Sequence, residues 1–315
     1  MSEHSHERRA TLEPVDGCPA CIENLYKEAN HDRPTVPMDT QPDGTIKCLD
    51  HGFVELVDCM GDDQAILQAA RVSYQRDRQE PDEAKDRALI RYLYRNRHTT
   101  PFEMCEFKFH CQMPIFVARQ WIRHRTASVN EVSARYTALP ELFYVPEQEQ
   151  IQYQSDVNKQ GRSGVMDEGD MHQRVFQREA AGAFAMYKAR LDNGMSKELA
   201  RINLPLSAYT RWYWKIDLHN LLHFLGLRLD KHAQYEIRVF AEAMATFVKA
   251  RCPLAWEAFE DFRLNAVTFS AVEMEVLSRM LKSIVGNPAA WKHEDTWPTK
   301  REGEEFVAKI AKLLK

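Results

Sequence analysis

From Cys105 to Met113 the chain alternates without a break between apolar and polar residues, and this pattern does most to fix the fold class. Cys105, Phe107, Phe109, Cys111 and Met113 fall on one side; Glu106, Lys108, His110 and Gln112 fall on the other. Successive side chains of a strand point to opposite faces, so the segment reads as a half-buried antiparallel strand. Its cysteines lie on the apolar side, where burial raises a thiol pKa and makes it inert. Cys105 and Cys111 therefore read as core residues rather than nucleophiles. Pro114 then suits the first turn of a helix. That helix is predicted to reach about Arg125, with Ile115, Ala118 and Ile122 on one face and Gln120 and Arg123 on another.

The flanking sequence completes an α+β (α/β) plan, an antiparallel sheet core flanked by helices with a largely helical second half. Phe53–Val57 reads as a strand. Asp62-Asp63 can cap a helix through Tyr74, and a second helix is expected over about 82–96. After Ala127 the chain is expected to be extended, placing Ser133 and Arg135 on one side, with a strand-like run at Leu142–Val145. Residues 147–172 form a long polar stretch, either a lid or substrate loop or a disordered insertion. Helices are predicted from Ser196 to near Pro205, after Asp217, after Asp230, over Val272–Val285 and over Glu304–Leu314. Three segments result: an extension over 1–45, a catalytic domain over 46–262 and a helical extension over 263–315.

Composition limits what such a chain can do. A net charge of −4 and a pI near 6.3 argue against general nucleic-acid binding. No apolar run is long enough to span a membrane, and residues 1–9 lack the apolar core of a signal peptide. Seven cysteines without a disulfide spacing suggest a reducing cytoplasm. Cys18, Cys21, Cys48 and His51 form CxxC and CxxH pairs with 26 residues between them. Either they hold a structural zinc or they are unrelated and His51 merely opens the first strand. His219 and His223, four apart on a helix, could hold a metal if His232 or Glu236 joined them, could contact a ligand, or could be ordinary histidines.

Arg123 to Arg135 is a denser signal, with three arginines, His124, two serines, Asn130 and a single carboxylate, Glu131. The arginine fork binds two phosphate oxygens at once, and hydroxyls can complete the oxygen shell. The segment reads as an anion site or else as a solvated, salt-bridged surface. Arg201 and Arg228 stand in apolar sequence, where an arginine either snorkels or meets an anion. No glycine-rich phosphate loop, HExxH or GxSxG is present.

Residues 123–136 also match RHRxxSxNExSxRY at every specified position, a pattern that resembles the flavin-dependent thymidylate synthases. His98-x-Thr100-Pro-Phe-Glu103, Pro114–Gln120-Trp, Ala200-Arg201, Tyr209-Thr-Arg211, Leu227-Arg228 and His232-Ala-Gln234-x-Glu236 look like further parts of that family, over roughly residues 50–262. The resemblance implies methylation of dUMP at C5 to give dTMP. Methylenetetrahydrofolate would supply the carbon, FAD and NADPH the reducing equivalents, and no enzyme cysteine would attack the uracil. It implies a homotetramer with shared sites. Gln120, Arg123, Glu131, Ser133, Arg135, Arg201 and Arg228 would bind the nucleotide, with Arg228 and Ser133 closest to the chemistry. Thr100, Arg123, His124, Arg125, Glu131, His219 and His223 would hold FAD, and His98 would flank flavin and folate. Relatives often have Asn at the position of Asp217. A carboxylate would repel flavin phosphates, so Asp217 reads as a helix cap.

Overall fold

The protein is described here from a computed structural model, covering residues 44–73, 82–156, 159–282 and 297–313. Strands β1 (Thr45–Cys48), β2 (Gly52–Met60) and β3 (Glu106–Pro114) meet β4 (Ser128–Glu131) and β7 (Tyr209–Asp217) in one antiparallel sheet of order β1-β2-β3-β7-β4. A second, two-stranded sheet pairs β5 (Gln152–Gln154) with β6 (Arg162–Val165). The alternation in β3 is realised: Cys105, Phe107, Phe109, Cys111 and Met113 are all buried, while Glu106, Lys108 and His110 are only partly so. The exposed face is polar and laced with pairs such as Lys108 with Asp58 and His110 with Glu55, the usual state of an antiparallel sheet with one wet side.

β7 was not foreseen in a half expected to be helical. Its period-two signal is plain in retrospect, since Trp212, Trp214 and Ile216 are buried while Arg211, Tyr213 and Lys215 are exposed. It pairs along its whole length with β3, from Pro114↔Tyr209 to Glu106↔Asp217, so it is the interior strand that joins β3 to the edge strand β4.

Helices α1 (Asp63–Val72), α2 (Glu83–Arg95), α3 (Thr100–Glu103) and α4 (Ile115–Trp121) follow in chain order. Asp62 caps α1 by accepting from the Gln64 and Ala65 amides, and Asp82 caps α2. α4 is shorter than predicted. Pro114 is its N-cap, and it stops at Trp121. Its buried face is Val117, Ala118 and Trp121, while Ile122 is 41% exposed and does not join it. Trp121 dictates this register, because its ring must enter the sheet's core.

In the second half come α5 (Gly169–Asp192), α6 (Lys197–Ala200), α7 (Leu218–Arg228) and α8 (Tyr235–Arg251). Of the stretch that read as loop or insertion, the β5–β6 hairpin takes part of the middle, and α5 begins only at its end, over Gly169 to His172. Gln234, not Asp230, stands at the N-cap of α8. Asp230 instead closes a turn, accepting from the His232 amide at 2.7 Å. Ile237, Phe240, Met244 and Phe247 of α8 are buried, and each such side chain contributes about 1.5–3 kcal/mol. Leu142–Val145 forms only one bridge, Phe143 to Ala208. Gly52 opens β2 where a Cβ would lie 2.5 Å from the Cys48 carbonyl oxygen and 2.9 Å from the Phe240 ring, so no larger residue fits that turn.

The chain divides into two compact units. One comprises the segment ending at Ser73 together with Thr99–Pro253; the other comprises Tyr74–His98 and Leu254–Lys315. The second contains α2, α9 (Pro253–Phe259, from Leu254 onward), a π-helical turn (Glu260–Leu264), α10 (Ala271–Lys282) and α11 (Lys300–Leu313). Arg91 organises it. The residue is 1% exposed; Nε and Nη2 donate to the Glu302 carboxylate at 2.8 Å each, and Nη1 donates to Glu257 at 3.3 Å. Nη2 also meets Asp261, and the guanidinium lies 4.7 Å over the Phe262 ring. Burial works against ionised Glu302, yet the bonds and charge of Arg91 hold its carboxyl below the usual range.

Candidate active site

Trp121 sets the path of the arginine-rich segment. Its ring stacks on Phe224 at 5.2 Å and meets Trp212 and Trp214 edge-on at 5.3 and 5.2 Å. With that residue anchored, the following turn points outward, leaving Arg123 and Arg125 exposed and His124 half-buried. β4 then returns to the sheet, with Ser128 opposite Lys215 and Glu131 opposite Trp212. The extended stretch ends there. The Tyr136 and Thr137 amides both donate to the Ser133 carbonyl at 3.1 Å, and the Arg135 amide donates to Ser133 Oγ at 3.3 Å. Ser133 and Arg135 thus lie in a turn closed by buried Ala134, not on one side of a strand as the alternation suggested.

Asp217 is a helix cap. It accepts from the Asn220 amide at 2.9 Å and from the Asn220 side chain at 2.7 Å, and so starts α7. That helix carries His219, half-buried, and His223, exposed, before ending at Arg228. Arg228 Nε donates to His124 Nε2 at 3.2 Å. The His124 ring meets Phe224 edge-on at 4.9 Å, with His223 at 6.1 Å. Burial, followed by the Arg228 charge and the neighbouring His223 ring, pushes the His124 pKa down to about 4. Burial also lowers the pKa of Arg228.

The remaining nucleotide candidates sit on the same unit. Glu131 accepts from Thr210 Oγ1 at 2.5 Å, a buried partner on β7 that the sequence reading did not single out. Arg135 is tied to Glu198 at 2.9 Å, both side chains being more than half exposed. Gln120 Oε1 is buried and accepts no hydrogen bond among the described residues. Arg201 is half-buried at the end of α6. Among the described residues Arg123, Arg125, Arg201 and Arg228 form no ion pair, so four cations are left for an anion.

Thr100 is exposed at the start of α3. His98 belongs to the other unit. It is exposed, its amide donates to the Leu93 carbonyl at 2.9 Å, and its ring lies 5.7 Å from Tyr92. The metal alternatives find no support among the described residues, where no group of three His, Cys, Asp or Glu side chains could hold an ion. Glu236 is engaged with Tyr144, Gln234 and Arg162, and His232 pairs with Asp230. Cys48 is buried, with its thiol toward the Ile46 carbonyl. Cys18 and Cys21 lie outside the described residues. No helix among those residues is long and apolar enough to cross a membrane.

The residue-level features have relatives. The family model described as thymidylate synthase complementing protein matches residues 55–254. A flavin-dependent thymidylate synthase of Gluconobacter oxydans is 51% identical over 282 residues, covering 88% of this chain and 91% of the relative. One from Rickettsia conorii is 49% identical over 277 residues, with coverages of 83% and 92%. Among solved structures, the UMP/dUMP methylase PolB from Streptomyces cacaoi, bound with 5-Br dUMP, superposes with a TM-score of 0.65 at 36% identity. That likeness covers 70% of this chain and 99% of the methylase. With its signature unbroken and its sheet, turn and α7 arranged as described, the chain belongs to the flavin-dependent thymidylate synthase family.

Proposed function

We propose that this enzyme makes dTMP by reductive methylation of dUMP at uracil C5, with methylenetetrahydrofolate as carbon donor and FAD and NADPH supplying reducing equivalents. The observation that carries the reading is the complete family signature together with four cations, Arg123, Arg125, Arg201 and Arg228, that form no ion pair among the described residues. Such a set fits an anionic ligand, because arginine forks match phosphate oxygens and gain most where no carboxylate already occupies them. Gln120 Oε1, buried without a donor, fits a ligand N–H.

The residues divide by chemistry. Arg123, Arg135, Arg201 and Ser133 would bind the nucleotide phosphate and orient it. Gln120 and Glu131 would hold the nucleoside, Glu131 being fixed by Thr210. Arg228 would face the uracil and stabilise negative charge on its N3/O2 edge, preorganised electrostatic stabilisation of the kind that often dominates catalysis. Thr100, Arg123, His124, Arg125, Glu131, His219 and His223 would hold the flavin, and His98 would flank flavin and folate. When bound, the flavin supplies the redox chemistry that the protein's side chains lack. The described cysteines suit a route without a thiolate. Cys105, Cys111 and Cys252 are buried, and burial pushes the Cys111 thiol well above its usual pKa. Cys59 is pushed up to about 12. We further propose a homotetramer acting in the cytoplasm.

Reconstitution tests the proposal. Purified protein supplied with FAD should turn yellow, oxidise NADPH faster when dUMP and methylenetetrahydrofolate are present, and form dTMP. The gene should also rescue a thymidine auxotroph. A colourless protein that neither binds dUMP nor rescues growth would end this reading.

A further inference from the structure

Arg228 Nε and His124 Nε2 lie 3.2 Å apart, and elementary chemistry fixes the roles of both atoms. A guanidinium has five N–H donors and no lone pair. His124 Nε2 must therefore be the acceptor, and the imidazole must be neutral with its proton on Nδ1. The environment agrees, since burial first, and then the nearby Arg228 charge, disfavour a charged ring. One turn of α7 makes the arrangement rigid. Phe224, fully buried, holds the His124 ring edge-on, and Arg228, four residues on along the same helix, bonds to it. Among the described residues His124 Nδ1–H has no acceptor and the terminal amino groups of Arg228 have none either.

We propose that His124 is a positioning residue for Arg228, its Nε2 holding the guanidinium in place for the nucleotide while its Nδ1–H remains to donate to the flavin. This rests on the dUMP and FAD reading above and deepens it. The consequence is coupling. Flavin that fixes His124 also fixes Arg228, so each ligand should favour the other through the protein, and the effect must be reciprocal.

The test is dUMP affinity by calorimetry, with and without FAD, for wild type, His124→Phe, Arg228→Ala and the double variant. In flavin-free protein, His124→Phe should weaken dUMP binding on the order of tenfold, as expected for loss of one hydrogen bond to a charged group. The same change in the Arg228→Ala background should do little, and His124→Gln, which retains an acceptor, should recover most of the loss. Should His124→Phe fail to fold, His124→Asn, too short to reach Arg228, takes its place. Wild-type dUMP affinity in the flavin-free variant, or losses that simply add in the double variant, would overturn the proposal and leave His124 serving the flavin alone. If wild-type protein binds neither ligand, it is the proposed function that fails, which is a different outcome.

Discussion

Two arginines, each set among apolar neighbours in the sequence, meet opposite fates. Arg91 is 1% exposed and meets three carboxylates, those of Glu302, Glu257 and Asp261. Arg228 is half-buried, and among the described residues its only side-chain partner is a neutral histidine. The contrast separates structural charge from functional charge. Arg91 is neutralised within the fold and has nothing left for a ligand. Arg228 is desolvated but not neutralised, a state tolerated where a ligand completes it.

The largest effect should come from breaking the structural half. Arg91→Leu leaves buried Glu302 with Arg95, at 3.4 Å, as its remaining cation, and removing one member of such a buried pair costs up to about 3–5 kcal/mol. Denaturant melts should show this loss, while FAD and dUMP affinities of the surviving folded protein stay near wild type. A melt unchanged by Arg91→Leu would erase the distinction. On the functional half, Arg228→Ala should lower turnover by roughly ten- to a hundredfold, the size of a lost charged hydrogen bond, with FAD absorbance and thermal midpoint retained. Loss of flavin with turnover preserved would contradict the role given to Arg228.

A smaller, pH-dependent effect sharpens the comparison. His124 titrates near 4 in the fold and near 6.5 when unfolded. Between those values the unfolded chain binds more protons, so stability should fall as pH drops from about 6.5 towards 4. His124→Gln lacks this term, so wild type should lose stability relative to the variant as the pH is lowered through that window, read as the difference between their melts. The least effect is expected at Arg135, whose exposed pair with Glu198 is of a kind worth under about 1 kcal/mol. Glu198→Gln should change dUMP affinity by no more than about threefold.

Legibility in the sequence followed how local the determinants were. The β3 alternation, the cap at Asp62 and the Asp217 cap depend on neighbours within a turn or two, and each is readable in the sequence. The end of α4 was not, because Trp121 is placed by Trp212, Trp214 and Phe224, about ninety or more residues away. β7 is as local as β3, with Trp212, Trp214 and Ile216 buried between exposed residues, but it lies in a half whose other elements are helices. At the site, the signature named the residues, but only folding paired Arg228 with His124, Thr210 with Glu131 and Arg135 with Glu198. The roles of Cys18 and Cys21 fall outside the described residues.

The Arg91–Glu302 contact joins positions 211 residues apart. A chain emerging from the ribosome at about 5–20 residues per second therefore presents that arginine roughly 10–40 s before its carboxylate exists. For most of that interval α2 carries a cation with none of its carboxylate partners, and Glu257 and Asp261 arrive before the buried one, Glu302. The helix that carries Glu302 thus acts as a completion signal, since only a chain translated through α11 can close the second unit around Arg91.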